Sequence, residues 1–168
     1  MKKHSTIIEQ LRENELKNIN LINFMENNTV LDIETCGESI LVRGMSDQVW
    51  IYISSASEDE LRSLKGRLHQ KDKNFAAIED WMVPILLEDN ESDWDLSMNQ
   101  YYLPISVEVP ASEFKERSLS IDDARTIYDY SEYQEAISVP YIKDRITKGS
   151  SVGIYEKDQL VGWGMTQD

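Results

Sequence analysis

Residues 150–168 read SSVGIYEKDQLVGWGMTQD. Two runs of β-branched and aromatic residues flank a polar break at Lys157-Asp158. The pattern predicts a β-hairpin, with VGIYE as one strand and LVGWGMT as the other. The residues before the hairpin decide which fold it serves. Ser120-Ile-Asp-Asp caps a helix that carries Ala124, Ile127 and Tyr128. Val139–Lys148 (VPYIKDRITK) predicts a second helix, with Ile142 and Ile146 inward and Gly149 as its stop. Two helices and then a hairpin is therefore the expected layout of residues 119–168.

The same layout opens the chain. Ile7, Ile8 and Leu11, then Leu16, Ile19, Ile22 and Met25, recur at steps of three and four. They predict helix over 5–27, with a break at Asn14 and an end at Asn27-Asn28. Strands are expected at 30–35 and 39–43, joined by Cys36-Gly37-Glu38. Val49–Ser54 (VWIYIS) is β-branched and aromatic throughout and predicts a strand buried on both faces. Ser57 with Glu60 forms a capping-box sequence for a helix presenting Leu61, Leu64 and Leu68. Beyond it the pattern predicts a strand at 73–78, a short helix at 79–88 with Pro84 in its first turn, and an extended segment at 99–109. The fold class is α/β: domain 1–110, linker 111–118, and a second, partial domain 119–168.

Composition narrows the function classes. The formal net charge is -14, from 31 acidic and 17 basic residues. That field repels phosphate backbones and anionic headgroups, so neither nucleic acid nor membrane is an expected partner. No stretch approaches the ~20 apolar residues of a membrane span, and the N-terminus has no apolar run of a signal peptide. A cytoplasmic location is expected. The single cysteine, Cys36, cannot form an internal disulfide, and its carboxylate neighbours disfavour a reactive thiolate. His4 and His69 lack metal-ligand spacing, so no metal site is expected. Glu79, Asp80, Asp89, Glu91, Asp93 and Asp95 surround Trp81 and Trp94. They read as a solvated acidic face with the tryptophans anchored in the core, or as a surface that recruits a cationic amine.

The motifs I-x-x-R-I-x-x-G (142–149), G-I-Y-E (153–156) and L-V-G-W (160–163) resemble the first half of a GNAT-type N-acyltransferase domain, in its glycine N-acyltransferase-like branch. Residues 5–109 are similar, by order of elements, to the divergent GNAT-like domain that precedes the catalytic one in that branch. The resemblance implies acyl transfer from acetyl-CoA, as co-substrate, to an amine. It makes the hairpin the second and third strands of the catalytic sheet. It also implies that the two preceding helices border the acceptor, so Tyr128, Tyr130, Glu132, Tyr133 and Trp163 are the candidate acceptor residues, with Tyr141 and Glu135 beside them.

In such a family the fourth strand is followed by Arg/Gln-x-x-Gly-x-Gly/Ala, whose backbone N–H groups hold the CoA pyrophosphate. Residues 1–168 contain no such loop. The equivalent place in the first domain, Ala56-SEDEL, has no glycine and puts Glu58, Asp59 and Glu60 in the first helical turn. Each would repel a phosphate by about 1–4 kcal/mol at ~4 Å. No cofactor is therefore expected to bind this chain, and the catalytic residues are expected beyond residue 168. Three readings stay open: the N-terminal part of a truncated N-acyltransferase, inactive alone; a non-enzymatic ligand- or partner-binding remnant, self-association through the final strand edge included; and an enzyme completed by another chain.

Overall fold

A computed structural model describes residues 2–88, 90–109, 113–132, 134–135 and 137–166. The chain is mixed α/β and divides into two compact units, residues 1–102 and 103–168. Each holds a three-stranded antiparallel sheet. No helix among the described residues is long and apolar enough to cross a membrane.

In the first unit α1 (Lys2–Arg12) and α2 (Glu15–Asn27) break at Asn14, where the sequence places the break. The inward face of α2 differs from the expected one. Leu21, Ile22 and Met25 are buried in line with Asn18, whereas Leu16 and Ile19 face outward. Asn18 shares that inward face: its Nδ2 donates to the Leu11 carbonyl at 3.0 Å, which also accepts the Asn14 amide at 3.2 Å. That bond ties α2 to the end of α1, while burial of Leu21, Ile22, Phe24 and Met25 fixes which face points inward.

β1 (Thr29–Cys36), β2 (Ser39–Met45) and β3 (Val49–Ser54) follow as a meander in that order. Strand alternation splits their side chains between two cores. Ile40, Val42 and Tyr52 meet α1 and α2. Leu41, Ile51 and Ile53 meet α3 (Glu58–Lys65) and α4 (Val83–Leu87). β3 is thus buried on both faces, as its composition demands. Gly44 of β2 admits the Phe24 ring, because a Cβ there would lie 2.2 Å from Phe24 Cε1.

Two polar networks tie this sheet to its neighbours. Arg43, almost fully buried, donates to Asp72 (2.8 Å), Asp32 (2.9 Å), Glu34 (2.6 Å) and the Arg67 carbonyl (2.9 Å). The second corrects the expected capping box. The Ser57 hydroxyl accepts from the Glu60 amide, but the Glu60 carboxylate does not return to Ser57. Its Oε2 instead accepts from the Glu38 amide (3.1 Å), the Ser39 amide (2.9 Å) and the Ser39 hydroxyl (2.6 Å). A carboxylate with three donors in the β1–β2 turn is better satisfied there than on a single helix N–H.

Four other expectations give way. Residues 73–78 form no strand; Phe75 makes one parallel bridge to Ile51, through Ile51 N to Asn74 O (2.8 Å) and Ala76 N to Ile51 O (3.0 Å). The helix expected at 79–88 is shorter, Val83–Leu87, with Pro84 in the first turn. Residues 99–109 form no strand either, and Val107 N bonds back to Pro104 O at 2.9 Å in a turn. Trp81 and Trp94 are both exposed, so neither anchors the core.

In the second unit β4 (Glu116–Arg117), inside the stretch read as linker, pairs with β5 (Ser151–Glu156). A 3-10 turn (Ile121–Asp123) leads into α5 (Ala124–Tyr130), then α6 (Val139–Lys148). β5 turns at Lys157 and Asp158, both at positive φ, into β6 (Gln159–Met165). Two left-handed residues are what a tight two-residue hairpin turn requires. Gly149 ends α6, but in extended rather than left-handed conformation. Its missing Cβ makes room for Thr166, whose Oγ1 would lie 2.4 Å away.

Candidate functional site

The core of the second unit is Leu119, Ala124, Ile127, Ile142 and Leu160. Helical spacing brings Ala124 and Ile127 inward from α5 and Ile142 from α6, and the alternation of β6 brings Leu160. Four aromatic side chains pack half-buried around this core: Tyr128 of α5, Tyr141 of α6, Tyr155 of β5 and Trp163 of β6. Of the residues expected to form an acceptor site, Tyr128 and Trp163 therefore share one core, and Tyr141 joins them. Tyr130 is 74% exposed and lies outside this core cluster, and Glu132 and Glu135 are exposed. Tyr133 lies outside the described residues.

Tyr155 is the residue that sequence reasoning missed. Its hydroxyl donates to Asp123 Oδ2 at 2.5 Å. The same oxygen accepts the Ser120 amide at 2.7 Å, closing the capping box that starts the 3-10 turn. The Arg117 guanidinium lies 3.7 Å above the Tyr155 ring centroid. Burial, foremost, and the bond to Asp123 hold the phenol above its ordinary pKa, while Arg117 pulls the other way. Tyr155 is a neutral donor at physiological pH. Gly153, two residues earlier on the same strand face, admits this packing: a Cβ there would lie 2.7 Å from the Tyr155 ring and 2.8 Å from Leu119. The spacing G-x-Y, with an acidic residue at the third position after Ser120, is the signal that was available.

Aromatic faces with a carboxylate at their edge attract cations. Arginines already use three of these rings: Arg117 on Tyr155, Arg125 on Tyr128 (5.8 Å) and Arg145 on Tyr141 (5.7 Å). The two glycines flanking Trp163 leave space rather than filling a need. A Cβ on Gly162 or Gly164 would meet only Ile154 or Val152, at 3.6–3.8 Å.

In the first unit Cys36 is half-buried beside the α3 core, and His69 is exposed with Nδ1 4.0 Å from Asp72 Oδ2. Among the described residues no group of three His, Cys, Asp or Glu side chains is arranged to hold a metal ion. Comparison with protein-family models, with curated proteins and with solved structures gives no match to this chain.

Proposed function

We propose that the second unit is the acceptor-side half of a GNAT-type N-acyltransferase domain, serving transfer of an acyl group from acetyl-CoA to an amine. One observation carries the reading: a strand, two helices and a hairpin in that order, folded so that β5 lies antiparallel between β4 and β6. Counting the hairpin as second and third strands requires a first strand before the helices, and β4 stands in that position. Of the four half-buried aromatic side chains around the core, Tyr128, Tyr141 and Tyr155 already carry arginines, so Trp163 is the ring that suits an amine acceptor, whose ammonium form is drawn to π faces. The order of the first unit, two helices, a meander and a helix, supports a divergent domain of the same kind.

On this reading residues 1–168 bind the acceptor and not the acyl donor. The first turn of α3 is occupied by Glu58, Asp59 and Glu60, and no glycine loop follows β3. The test is a titration of the labelled protein with small primary amines and amino acids, followed by amide and indole chemical shifts. Shifts centred on Tyr128, Tyr155 and Trp163 are expected. Amines at millimolar concentration that leave these residues unmoved would refute acceptor binding. Calorimetry with acetyl-CoA is expected to give no heat of binding, and micromolar affinity would overturn the assignment of the donor side.

A second reading has its own observation. Among the described residues β6 pairs only with β5, and its outward Val161 is exposed. Such an edge can add a strand from another chain, making this a binding module or an enzyme completed in trans. A clean monomer at high concentration counts against self-association by this route.

A further inference from the structure

Residues 91–102, ESDWDLSMNQYY, form neither helix nor strand, and their large apolar side chains point to solvent. Trp94 is 68% exposed, Met98 77% and Tyr101 87%. The segment is not loose at its far end. Gln100 Nε2 donates to the Leu16 carbonyl at 2.9 Å, and Gln100 Oε1 accepts from Asn20 at 3.3 Å. Those bonds set the tyrosines beside the outward face of α2, where Leu16 and Ile19 are also exposed. Single exposed apolar residues need no explanation, but a contiguous run joined to an exposed apolar helix face marks an interaction surface.

Charge identifies the occupant. No lysine, arginine or histidine occurs between Lys73 and Lys115, while Glu91, Asp93 and Asp95 interleave the apolar residues. Lys17, on α2, is already engaged by Glu79 (2.9 Å) and the Ser55 carbonyl (2.8 Å). The surface is apolar and purely anionic. It repels anionic lipid headgroups and nucleic acid, and a second copy of a chain with net charge -14. We propose that residues 91–102, with Leu16 and Ile19, dock against the apolar face of an amphipathic helix flanked by lysine or arginine on a partner protein. Trp94 and Tyr101 are the anchors, since large aromatics carry most of the energy of such contacts.

The probe is a synthetic amphipathic helical peptide of leucine and lysine, with the leucines on one face. The full chain should bind it, and hydrogen exchange should slow at 91–102 and along α2. The double variant W94S/Y101S should weaken binding by about tenfold or more; both side chains are exposed, so an unchanged circular dichroism spectrum is expected. D93N/D95N should weaken it severalfold, and the same peptide with glutamate for lysine should not bind. Protection elsewhere, or equal binding by W94S/Y101S, would overturn the proposal. So would protection of 91–102 by phosphatidylcholine vesicles, which would assign the segment to a membrane surface instead.

Discussion

Replacing Glu60 with alanine removes the acceptor of three donors at once. The Glu38 amide is exposed and regains water. Ser39 is fully buried, so its amide and hydroxyl do not. The hydroxyl can turn to Ser55 Oγ, 2.8 Å away, whereas the amide loses its charge-assisted bond with no water to replace it. A stranded buried donor costs about 1–3 kcal/mol. Adding the lost charge-assisted bond from the hydroxyl brings the cost of Glu60→Ala to about 2–4 kcal/mol. Urea unfolding followed by tryptophan fluorescence measures it, because Trp50, Trp81 and Trp94 all lie in the first unit. Gly37→Ala completes the argument. Gly37 sits at φ 58°, and a Cβ there would lie 2.3 Å from Glu60 Oε1. In the parent, alanine meets both the left-handed backbone penalty, about 1–2 kcal/mol, and the carboxylate. In the Glu60→Ala background only the backbone penalty remains, so the two substitutions should couple by about 1 kcal/mol or more. A Glu60→Ala protein within about 0.5 kcal/mol of the parent, or strictly additive costs, would refute the claim that this carboxylate holds the β1–β2 turn.

Arg43→Met leaves Asp72 buried without its cation and should cost about 3–5 kcal/mol in chemical unfolding, whereas Asp32→Asn, at the half-exposed end of the network, should cost under about 1 kcal/mol. Glu88 is held down from its ordinary 4.5 to about 2 by hydrogen bonds from Lys65 and Arg62. Its folded-state pKa lies below the unfolded one, so its contribution is complete above pH 4.5 and is lost as pH falls towards 2; thermal melts of Glu88→Gln should lack that part of the acid slope. In the second unit Gly149→Ala should cost about 1–3 kcal/mol through the clash with Thr166, while Gly164→Ala, with only Val152 at 3.6 Å, should stay within about 0.5 kcal/mol. Trp163, the one tryptophan in residues 103–168, reports both.

The elements legible in the sequence are those whose cause is local. Asn14 breaks the N-terminal helix, Ser57 caps α3, VWIYIS forms a strand buried on both faces, and Lys157-Asp158 turns the hairpin. Each depends on a few neighbouring residues, through periodicity, a side-chain cap or turn geometry. Tyr128 was likewise legible, on the helix face that also carries Ala124 and Ile127, whereas Trp163 reaches the same core as Leu160, three residues before it, only because the β5–β6 register shifts between Ile154 and Tyr155.

Other features were settled only by groups distant in sequence. Asn18 lies inward and bonds to Leu11, and Leu16 and Ile19 face outward, because Leu21, Ile22, Phe24 and Met25 pack on the core. Ser39 drew Glu60 away from its cap. Residues 73–78 had the composition of a strand, but only Phe75 found a neighbour to bridge. Glu116–Arg117 had no strand character and became one because β5 offered an open edge. Tyr155 gained its place beside the core from Asp123, 32 residues earlier, while Tyr130, on a helix as tyrosine-rich, was left in water. A local window reports what a segment can form. Which face is buried, and which side chain meets a carboxylate, depends on the partner that long-range packing supplies, because unpaired strands and buried polar groups are stable only once that partner is in place.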